Sequence, residues 1–319
     1  EDMVEEMARS GHDFVIVCVD PDAPFLRQRF HHACFHFEQF PLTRLKELRA
    51  SRLAQFLRVA RLFTYGSAPF ESLPSRLWQM RMFVDKGLAE ARTSWGRLYF
   101  HLIVVAARLA SRSRVMRWLL RRAEHSLTWL PMIDDILERH QPSLLVVVGL
   151  GHGNDWRIMT EAKRRGCVVL SIVRSWDNPT TKGYAGCTPD CVLTWSDVMS
   201  EEVVRFHDIP RERVTAVGVP QWDLYFLPVP IRNRLEFMAR YNLRGDRRTI
   251  YLATGALTLF PRNLSVAREI LGAIVSGEIE AAQLVIRIHP DYVLDRKDKW
   301  RKIAAEPLRE LEQIKADFP

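Results

Sequence analysis

The sequence is poor in cysteine and has no long apolar segment, and both absences restrict the class of protein. Its 319 residues include five cysteines, too few and too scattered for a disulfide framework. The longest apolar run, Leu98–Ala107, is about half of the roughly 20 residues that a membrane-spanning helix needs. The first residues do not show the pattern of a signal peptide. We therefore expect a cytoplasmic protein.

The cysteine positions also argue against a metal site. Cys187 and Cys191 bracket three residues, and a zinc site would need further ligands close by. Cys18 and Cys167 lie inside apolar, strand-like runs, where a reduced thiol packs as a small hydrophobic side chain. We expect reduced structural thiols and no bound metal.

Acidic residues are scarce in one segment, and that segment carries the basic character of the whole chain. Residues 42–125 contain 17 Lys and Arg against five Asp and Glu, a net charge of +12, whereas the complete chain carries +8. Arginines interleave there with leucine and phenylalanine at helical spacing, which predicts amphipathic helices with a cationic face. We interpret residues from about 42 to 130 as a basic, helical insertion.

Outside this segment, short apolar runs alternate with helical patterns, as in α/β proteins. The run Leu144–Val148 is continuous, which predicts a parallel strand buried on both faces. A helix is predicted at Val198–His207, with Asp197 as its N-terminal cap. The predicted strands are Phe14–Val19, Leu144–Val148, Cys167–Val173, Val192–Trp195, Val214–Val217, Thr249–Ala253 and Leu284–Ile288.

Prolines near residue 225 indicate a linker, and we place one domain at residues 1–225 and a second at 226–319. A Rossmann-like domain normally opens with a strand, but this chain opens on the pattern of a helix that ends at Gly11. The second domain contains only two predicted strands. We expect a fragment that lacks both ends and is inactive alone.

Three motifs together resemble the GT-B superfamily. Gly11-His12 precedes an early strand, and Val214–Asp223 is similar to the V-x-V-x-G-x-P-x-x-D passage of capsule and teichoic-acid-type transferases. Arg287–Pro290 is similar to their R/K-x-H-P motif. The resemblance covers about 15–20 and 140–290, and it extends to nucleotide-sugar glycosyltransferases and CDP-glycerol glycerophosphotransferases. Non-hydrolysing UDP-N-acetylglucosamine 2-epimerases share the architecture and an H-P motif.

The resemblance implies two Rossmann-like domains, of which the second binds a nucleotide diphosphate. It further implies transfer of a sugar or polyol phosphate from a nucleotide-activated donor to a cell-surface glycan or a lipid-linked acceptor. Neither a metal nor a cofactor is expected, since the donor is a substrate. An epimerase that converts a UDP-sugar without an acceptor is the first alternative.

Polar loops after predicted strands supply the candidate donor site, because ligands of open α/β sheets bind beyond the carboxyl ends of the strands. Thr254 and Gly255 lead toward a helix whose backbone N–H groups could hold phosphate. Arg287 and His289, after the next strand, could add charge and a hydrogen bond. Alternatively, Gly255 is an ordinary turn glycine and His289 packs beside Pro290.

In the first domain, His152 and Asp177 are candidate general bases for an acceptor hydroxyl. Alternatively, His152 caps the following helix and Asp177 forms an Asx-turn. The resemblance also allows a base in an earlier segment that this sequence does not contain. The loop Gly149–Gly153 reads G-x-G-x-G, which is not a dinucleotide fingerprint. Site-lining candidates are Trp176, Asn178, Lys182 and Asp223.

The basic helices suggest a second alternative, a non-enzymatic protein that binds a membrane or another polyanion. Trp95, Tyr99, Trp118 and Trp129 accompany the arginines, a composition typical of helices on an anionic membrane surface. We accordingly expect peripheral attachment at the inner face of the plasma membrane. The alternative is an insertion whose arginines are solvated or paired. No nucleic-acid-binding motif is present, which argues against nucleic acid as a partner.

Overall fold

The computed structural model describes residues 8–64, 82–89, 91, 93–151, 153–226, 233–256, 260, 262–292 and 298–318. It confirms the predicted α/β class, because the described strands form parallel sheets and alternate with helices along the chain. Contacts divide the chain into two units, Glu1–Asp223 and Leu224–Pro319. The sequence placed this division after residue 225.

The first unit begins with two parallel strands, β1 (Phe14–Cys18) and β2 (Phe35–Gln39). The sequence did not predict β2, because its charged and imidazole side chains make the run look irregular. The signal was present, since Phe35 and Phe37 alternate with polar residues at the period of a strand.

A four-stranded parallel sheet follows in the order β3-β4-β5-β6. Its strands are β3 (Leu144–Val148), β4 (Val168–Ile172), β5 (Cys191–Thr194) and β6 (Val214–Ala216). The helices of this unit are α1 (Pro24–Arg29), α2 (Leu42–Leu48), α3 (Arg52–Leu62), α4 (Ser94–Arg112), α5 (Arg114–Leu127), α6 (Pro131–His140), α7 (Trp156–Arg164), α8 (Asn178–Thr181) and α9 (Asp197–His207). Residues 82–89 are also helical.

Among the described residues β3 is covered on one face, so the prediction that it is buried on both faces is wrong. Val147 and Val169 are 7% and 0% exposed and pack against the apolar side of α6 and α7. Alternate side chains of a strand point to opposite faces. On the other face of β3, the side chains are exposed: Leu144 at 41%, Val146 at 42% and Val148 at 61%.

Hydroxyl side chains set the amino ends of several helices, as their preference for this position predicts. Ser51 Oγ accepts a hydrogen bond from Ala54 N at 3.2 Å, at the start of α3. The predicted cap of α9 is wrong by one residue, because Ser196 Oγ, rather than Asp197, accepts from Met199 N, at 3.3 Å. Asp197 lies in the first turn, where its charge favours the helix dipole.

The basic helices pack on the first unit and on one another. Phe63, which directly follows α3, lies in a small apolar cluster with Ile103 and Ala107 of α4. Arg117 of α5 donates to both carboxylate oxygens of Asp208, at 2.6 and 2.9 Å. Because Asp208 follows α9, this bidentate pair fixes α5 against the sheet-bearing part of the unit.

The second unit contains parallel strands β7 (Arg248–Ala253) and β8 (Ala282–Arg287). Its helices are α10 (Arg234–Arg240), α11 (Asn263–Val275) and α12 (Asp298–Asp317). Leu264, Tyr292 and Leu311 belong to its core. In the described parts of both units, no helix combines the length and the apolar character that crossing a bilayer requires.

Candidate functional site

The loops after β3 and β4 lie at the same edge of the sheet, because Val148 and Ile172 are partners in the parallel register. Ser171 Oγ donates to the carbonyl oxygen of Gly149, and Gly186 N donates to that of Gly151 at 2.8 Å. These bonds tie the glycine loop to its neighbours. Polar groups of both loops therefore reach the part of an α/β sheet where ligands bind.

Gly151 needs to be glycine for two reasons. Its φ of +67° lies in the left-handed region, and a Cβ atom there would come within 3.2 Å of Met159 Sδ. The loop is thus packed closely on α7. His152, the next residue, lies outside the described residues, and its proposed role as a base stays a prediction.

Asp155 is a candidate that the sequence reading missed. It precedes the first residue of α7, and a Cβ atom on Gly149 would lie 3.0 Å from its Oδ2. Burial raises the pKa of the Asp155 carboxyl, although nearby backbone N–H groups and Arg61 act in the opposite direction. A carboxyl with a raised pKa is a better proton acceptor near neutral pH. The sequence does contain a signal for Asp155, since it is an acidic residue that follows a glycine loop and directly precedes a predicted helix.

Asp177 is engaged on both oxygens. Its Oδ1 accepts from Ser175 Oγ at 2.6 Å, and its Oδ2 accepts from Thr181 Oγ1 at 2.7 Å and lies 3.5 Å from Lys182 Nζ. Burial raises the pKa of this carboxyl, but the two hydroxyls and the lysine outweigh burial and lower it. Asp177 is therefore an ionised, weak base, and its contacts order the loop as an Asx-turn would. The catalytic role stays a prediction.

The neighbours of Asp177 differ in exposure. Trp176 is 71% exposed, and Asn178 is buried at 5% exposure, with no described hydrogen-bond partner for its Oδ1. His207 stabilises this region, since its Nε2 lies 2.8 Å from Pro179 O and its Nδ1 accepts from Ala185 N at 3.2 Å. The loop thus presents an aromatic ring and Lys182 to solvent on a fixed backbone.

In the second unit, the four predicted donor-site residues lie together. Thr254 N donates to Arg287 O at 3.0 Å, and His289 N donates to Thr254 Oγ1 at 2.8 Å. Both loops follow the carboxyl ends of parallel neighbours β7 and β8. The Thr254 side chain is buried, whereas Arg287 is exposed. This arrangement leaves a guanidinium group at the edge of the sheet.

Gly255 does not offer its N–H group to a ligand. Asn263, the first residue of α11, accepts from Gly255 N at 3.1 Å and donates to Gly255 O at 2.8 Å. A Cβ atom at Gly255 would overlap the ring of Phe260, so the close packing favours glycine. The backbone N–H proposed for phosphate is occupied, and the charge at this edge comes from Arg287.

Asp223 lies at the end of the first unit, in a short 3-10 helix at Pro220–Tyr225, where it is exposed. Its neighbour Trp222 packs near Trp195, with ring centroids 6.3 Å apart. Among the described residues there is no group of three His, Cys, Asp or Glu that could hold a metal ion. The cysteines, Cys18, Cys34, Cys167, Cys187 and Cys191, are free thiols.

No family model and no curated protein matches the chain. Among solved structures it is similar to a UDP-N-acetylglucosamine 2-epimerase from Rickettsia bellii, with 13% sequence identity and a TM-score of 0.30. The similarity covers 62% of this chain and 51% of that structure, so the chain spans about half of its length. A similarity of this size carries no argument about activity, and the α/β assignment rests on the parallel sheets.

Proposed function

We propose that this chain binds a nucleotide-activated donor and takes part in transfer of its sugar or polyol phosphate to a cell-surface glycan or lipid-linked acceptor. The observation that supports the proposal is the hydrogen bond from His289 N to Thr254 Oγ1. It fixes two polar loops at the carboxyl edge of β7 and β8, where α/β sheets bind ligands.

Arg287 carries the main electrostatic role in this proposal. Its side chain has no hydrogen bond or ion pair to another described residue, and it is exposed at the end of β8. A guanidinium group can bind two phosphate oxygens at once. It would stabilise the charge that builds on a leaving diphosphate, so the reaction needs no metal ion. His289, two residues further along the chain, is the second residue proposed to contact phosphate or ribose.

Activation of the acceptor belongs to the first unit in this scheme. Asp155 joins His152 and Asp177 as a candidate base, and the raised pKa of its carboxyl favours it over Asp177. Trp176, exposed beside Asp177, offers a flat apolar surface on which a sugar or a base could stack.

The experiment is a thermal-shift titration of the chain with UDP, CDP, GDP and their sugar or glycerol conjugates. One nucleotide class should raise Tm by several degrees, since saturation at 100 times Kd adds about 2.7 kcal/mol. Arg287→Ala should weaken that nucleotide about tenfold or more, because a charged hydrogen bond contributes about 1.5–3 kcal/mol. Arg248→Ala, at the opposite end of the same sheet, is the matched control and should bind normally.

Equal nucleotide affinity in Arg287→Ala and Arg248→Ala would remove Arg287 from the donor site. No shift with any nucleotide would reject the transferase proposal. Conversion of a UDP-sugar without an acceptor would identify an epimerase instead.

A second candidate function, attachment to an anionic membrane surface, is favoured by an apolar row on α4 that we call the outer stripe. It consists of side chains that are 44–79% exposed and follow one another at intervals of three and four residues: Trp95, Leu98, Leu102, Val105 and Leu109. This spacing places them on one face of the helix. Trp118 of α5 and Trp129 are exposed as well.

The charges beside the outer stripe indicate which partner it fits. Helix α4 contains no Asp or Glu, and the one acidic residue of α5, Glu124, is buried. Exposed cations such as Arg97 and Arg112 therefore face no exposed acid on these helices. A second copy would bring like charges together, whereas anionic lipid offers both apolar contact and opposite charge.

Sedimentation with vesicles tests this surface. Vesicles of phosphatidylcholine with phosphatidylserine should bind the chain, and phosphatidylcholine alone should bind it far less. Trp95→Ser combined with Leu102→Ser should reduce binding on the order of tenfold. Self-association or RNA binding that removes the vesicle signal would assign the surface to a second copy or to nucleic acid.

A further inference from the structure

Several arginines converge on one carboxylate where α3 and α5 meet the start of α7. Arg61 Nε donates to Glu124 Oε2 at 2.6 Å, and Arg157 Nη2 lies 3.5 Å from Glu124 Oε1. Arg49 and Arg58 are close enough to act on Arg157 electrostatically. Asp155, at the start of α7, is a second carboxyl on which Arg61 acts, so four arginines face two carboxyl groups.

The pKa values of two of these arginines are lowered because several cations lie close together in a buried place. Burial lowers the pKa of Arg157 to about 9, and the charges of Arg49, Arg61 and Arg58 act in the same direction. Burial, followed by Arg58 and Arg61, lowers the pKa of Arg49 to about 10. Glu124 opposes both shifts without cancelling them. A further negative charge would thus be stabilised here.

Several donors of the cluster have no acceptor among the described residues. Arg61 Nη2, Arg157 Nη1 and Arg49 Nε are buried and unpartnered. The side chains of Arg61 and Arg157 are 0% and 1% exposed. Buried polar groups in native proteins nearly always have partners, and an unpaired donor costs free energy. The unpartnered acceptors Glu124 Oε1 and Asp155 Oδ1 are fewer than these donors, and the excess of donors favours acceptor atoms from a ligand.

The cluster also lies beside the carboxyl end of β3, where ligands of α/β sheets usually bind. Arg49 Nη1 donates to Asn154 Oδ1 at 2.7 Å, in the loop at the carboxyl end of β3. Arg157 is the second residue of α7, whose amino end follows this loop. The amino end of a helix adds partial positive charge and N–H groups that favour anions.

We propose that Arg49, Arg61 and Arg157 bind a phosphate or diphosphate group at the carboxyl edge of β3. Guanidinium groups match phosphate oxygens in geometry, and a phosphate charge near −2 offsets the excess of cations. The site belongs to the first unit, whereas the donor loops of β7 and β8 belong to the second, and it does not depend on the proposed transfer reaction. The group can come from inorganic phosphate or from a phosphate ester.

Calorimetric titration of the chain with sodium phosphate, pyrophosphate and glycerol 3-phosphate, at ionic strength matched with sodium chloride, tests the proposal. At least one of these anions should bind and raise Tm. Preference for glycerol 3-phosphate over inorganic phosphate would assign the site to an ester. Arg49→Gln should weaken binding on the order of tenfold, whereas Arg122→Gln, an exposed arginine of α5, should not.

Asn154→Asp provides a second variant that does not depend on removing an arginine. A carboxylate next to Arg49 should raise Tm without added anion and reduce the further rise that phosphate or pyrophosphate produces. No binding of any of the three anions, or equal binding by Arg49→Gln and Arg122→Gln, overturns the proposal. Arg287→Ala should leave pyrophosphate binding at this site intact, so a failed donor site and a failed phosphate site give different results.

Discussion

The basic helices have an inner face on which several charged side chains are buried and an outer stripe of exposed apolar side chains, a distribution that most surface helices do not show. On the inner face, Arg61 and Glu124 are fully buried and Arg117 is 3% exposed. On the outer stripe, Trp95 is 79% exposed. Charges can be buried where partners satisfy them, whereas an exposed apolar row is typical of surfaces that bind a partner.

The inner face is held by specific pairing more than by net attraction. Removing two opposite charges from water costs about as much free energy as their attraction contributes. Removing only one member of the pair leaves the other charge buried without a partner, which is strongly destabilising. The pKa of Glu124 illustrates the balance, because burial raises it and the contacts with Arg61 and Arg157 lower it by more. The inner face should therefore be sensitive to single substitutions, and the outer stripe should not.

The largest effect is expected for Glu124→Gln. The amide keeps the shape of the side chain but removes the only carboxylate bonded to Arg61 among the described residues, which leaves buried cations unpaired. We expect a loss of about 3–5 kcal/mol in the free energy of unfolding of the first unit. A thermal melt should show a decrease in Tm on the order of 10 °C.

Glu47→Gln is the control for Glu124→Gln. Its partner Arg44 is 2.8 Å away, but both side chains are more than half exposed. Exposed pairs contribute about 0–1 kcal/mol, so Tm should hardly change. Equal effects of the two substitutions would show that the inner face does not depend on its carboxylate.

An intermediate effect is expected for Arg117→Lys. Lysine keeps the charge but loses the bidentate contact with Asp208 and the bonds from Nη1 to the carbonyl oxygens of Ala110 and Ser111. We expect a loss of about 1–3 kcal/mol, measured by denaturant unfolding. Arg114→Lys changes an exposed arginine 3.4 Å from the same carboxylate and should cost less than about 0.5 kcal/mol.

The smallest change in stability is expected on the outer stripe. Trp95→Ser combined with Leu102→Ser removes large apolar side chains that are 79% and 47% exposed, and should alter stability by about 0.5 kcal/mol or less. Ile103→Ala, one residue further along α4, removes a side chain that is 0% exposed and should cost about 2–5 kcal/mol. A large loss of stability in the serine variant would mean that the stripe belongs to the core of this protein.

The sequence predicted most strands of the fold because apolar runs of this length are local signals. It missed β2, where Glu38 and His36 interrupt the apolar pattern, and it overestimated the burial of β3, because a strand does not reveal how many of its faces are covered. In the second unit it placed Thr254 and His289 in loops after neighbouring strands, and these loops are hydrogen-bonded to each other, but their role in binding stays a prediction. It could not show that Asn263 occupies the N–H of Gly255, since that bond depends on how the loop folds back on α11.

The basic charge, the α/β class and the polar loops at strand ends follow from composition and short-range pattern alone. Which arginines are buried was decided only by the tertiary structure. Helical periodicity predicts that charged residues face water, yet Arg61 lies inside because Glu124, 63 residues later, supplies its partner. A buried charge is stable only beside distant groups that fold against it.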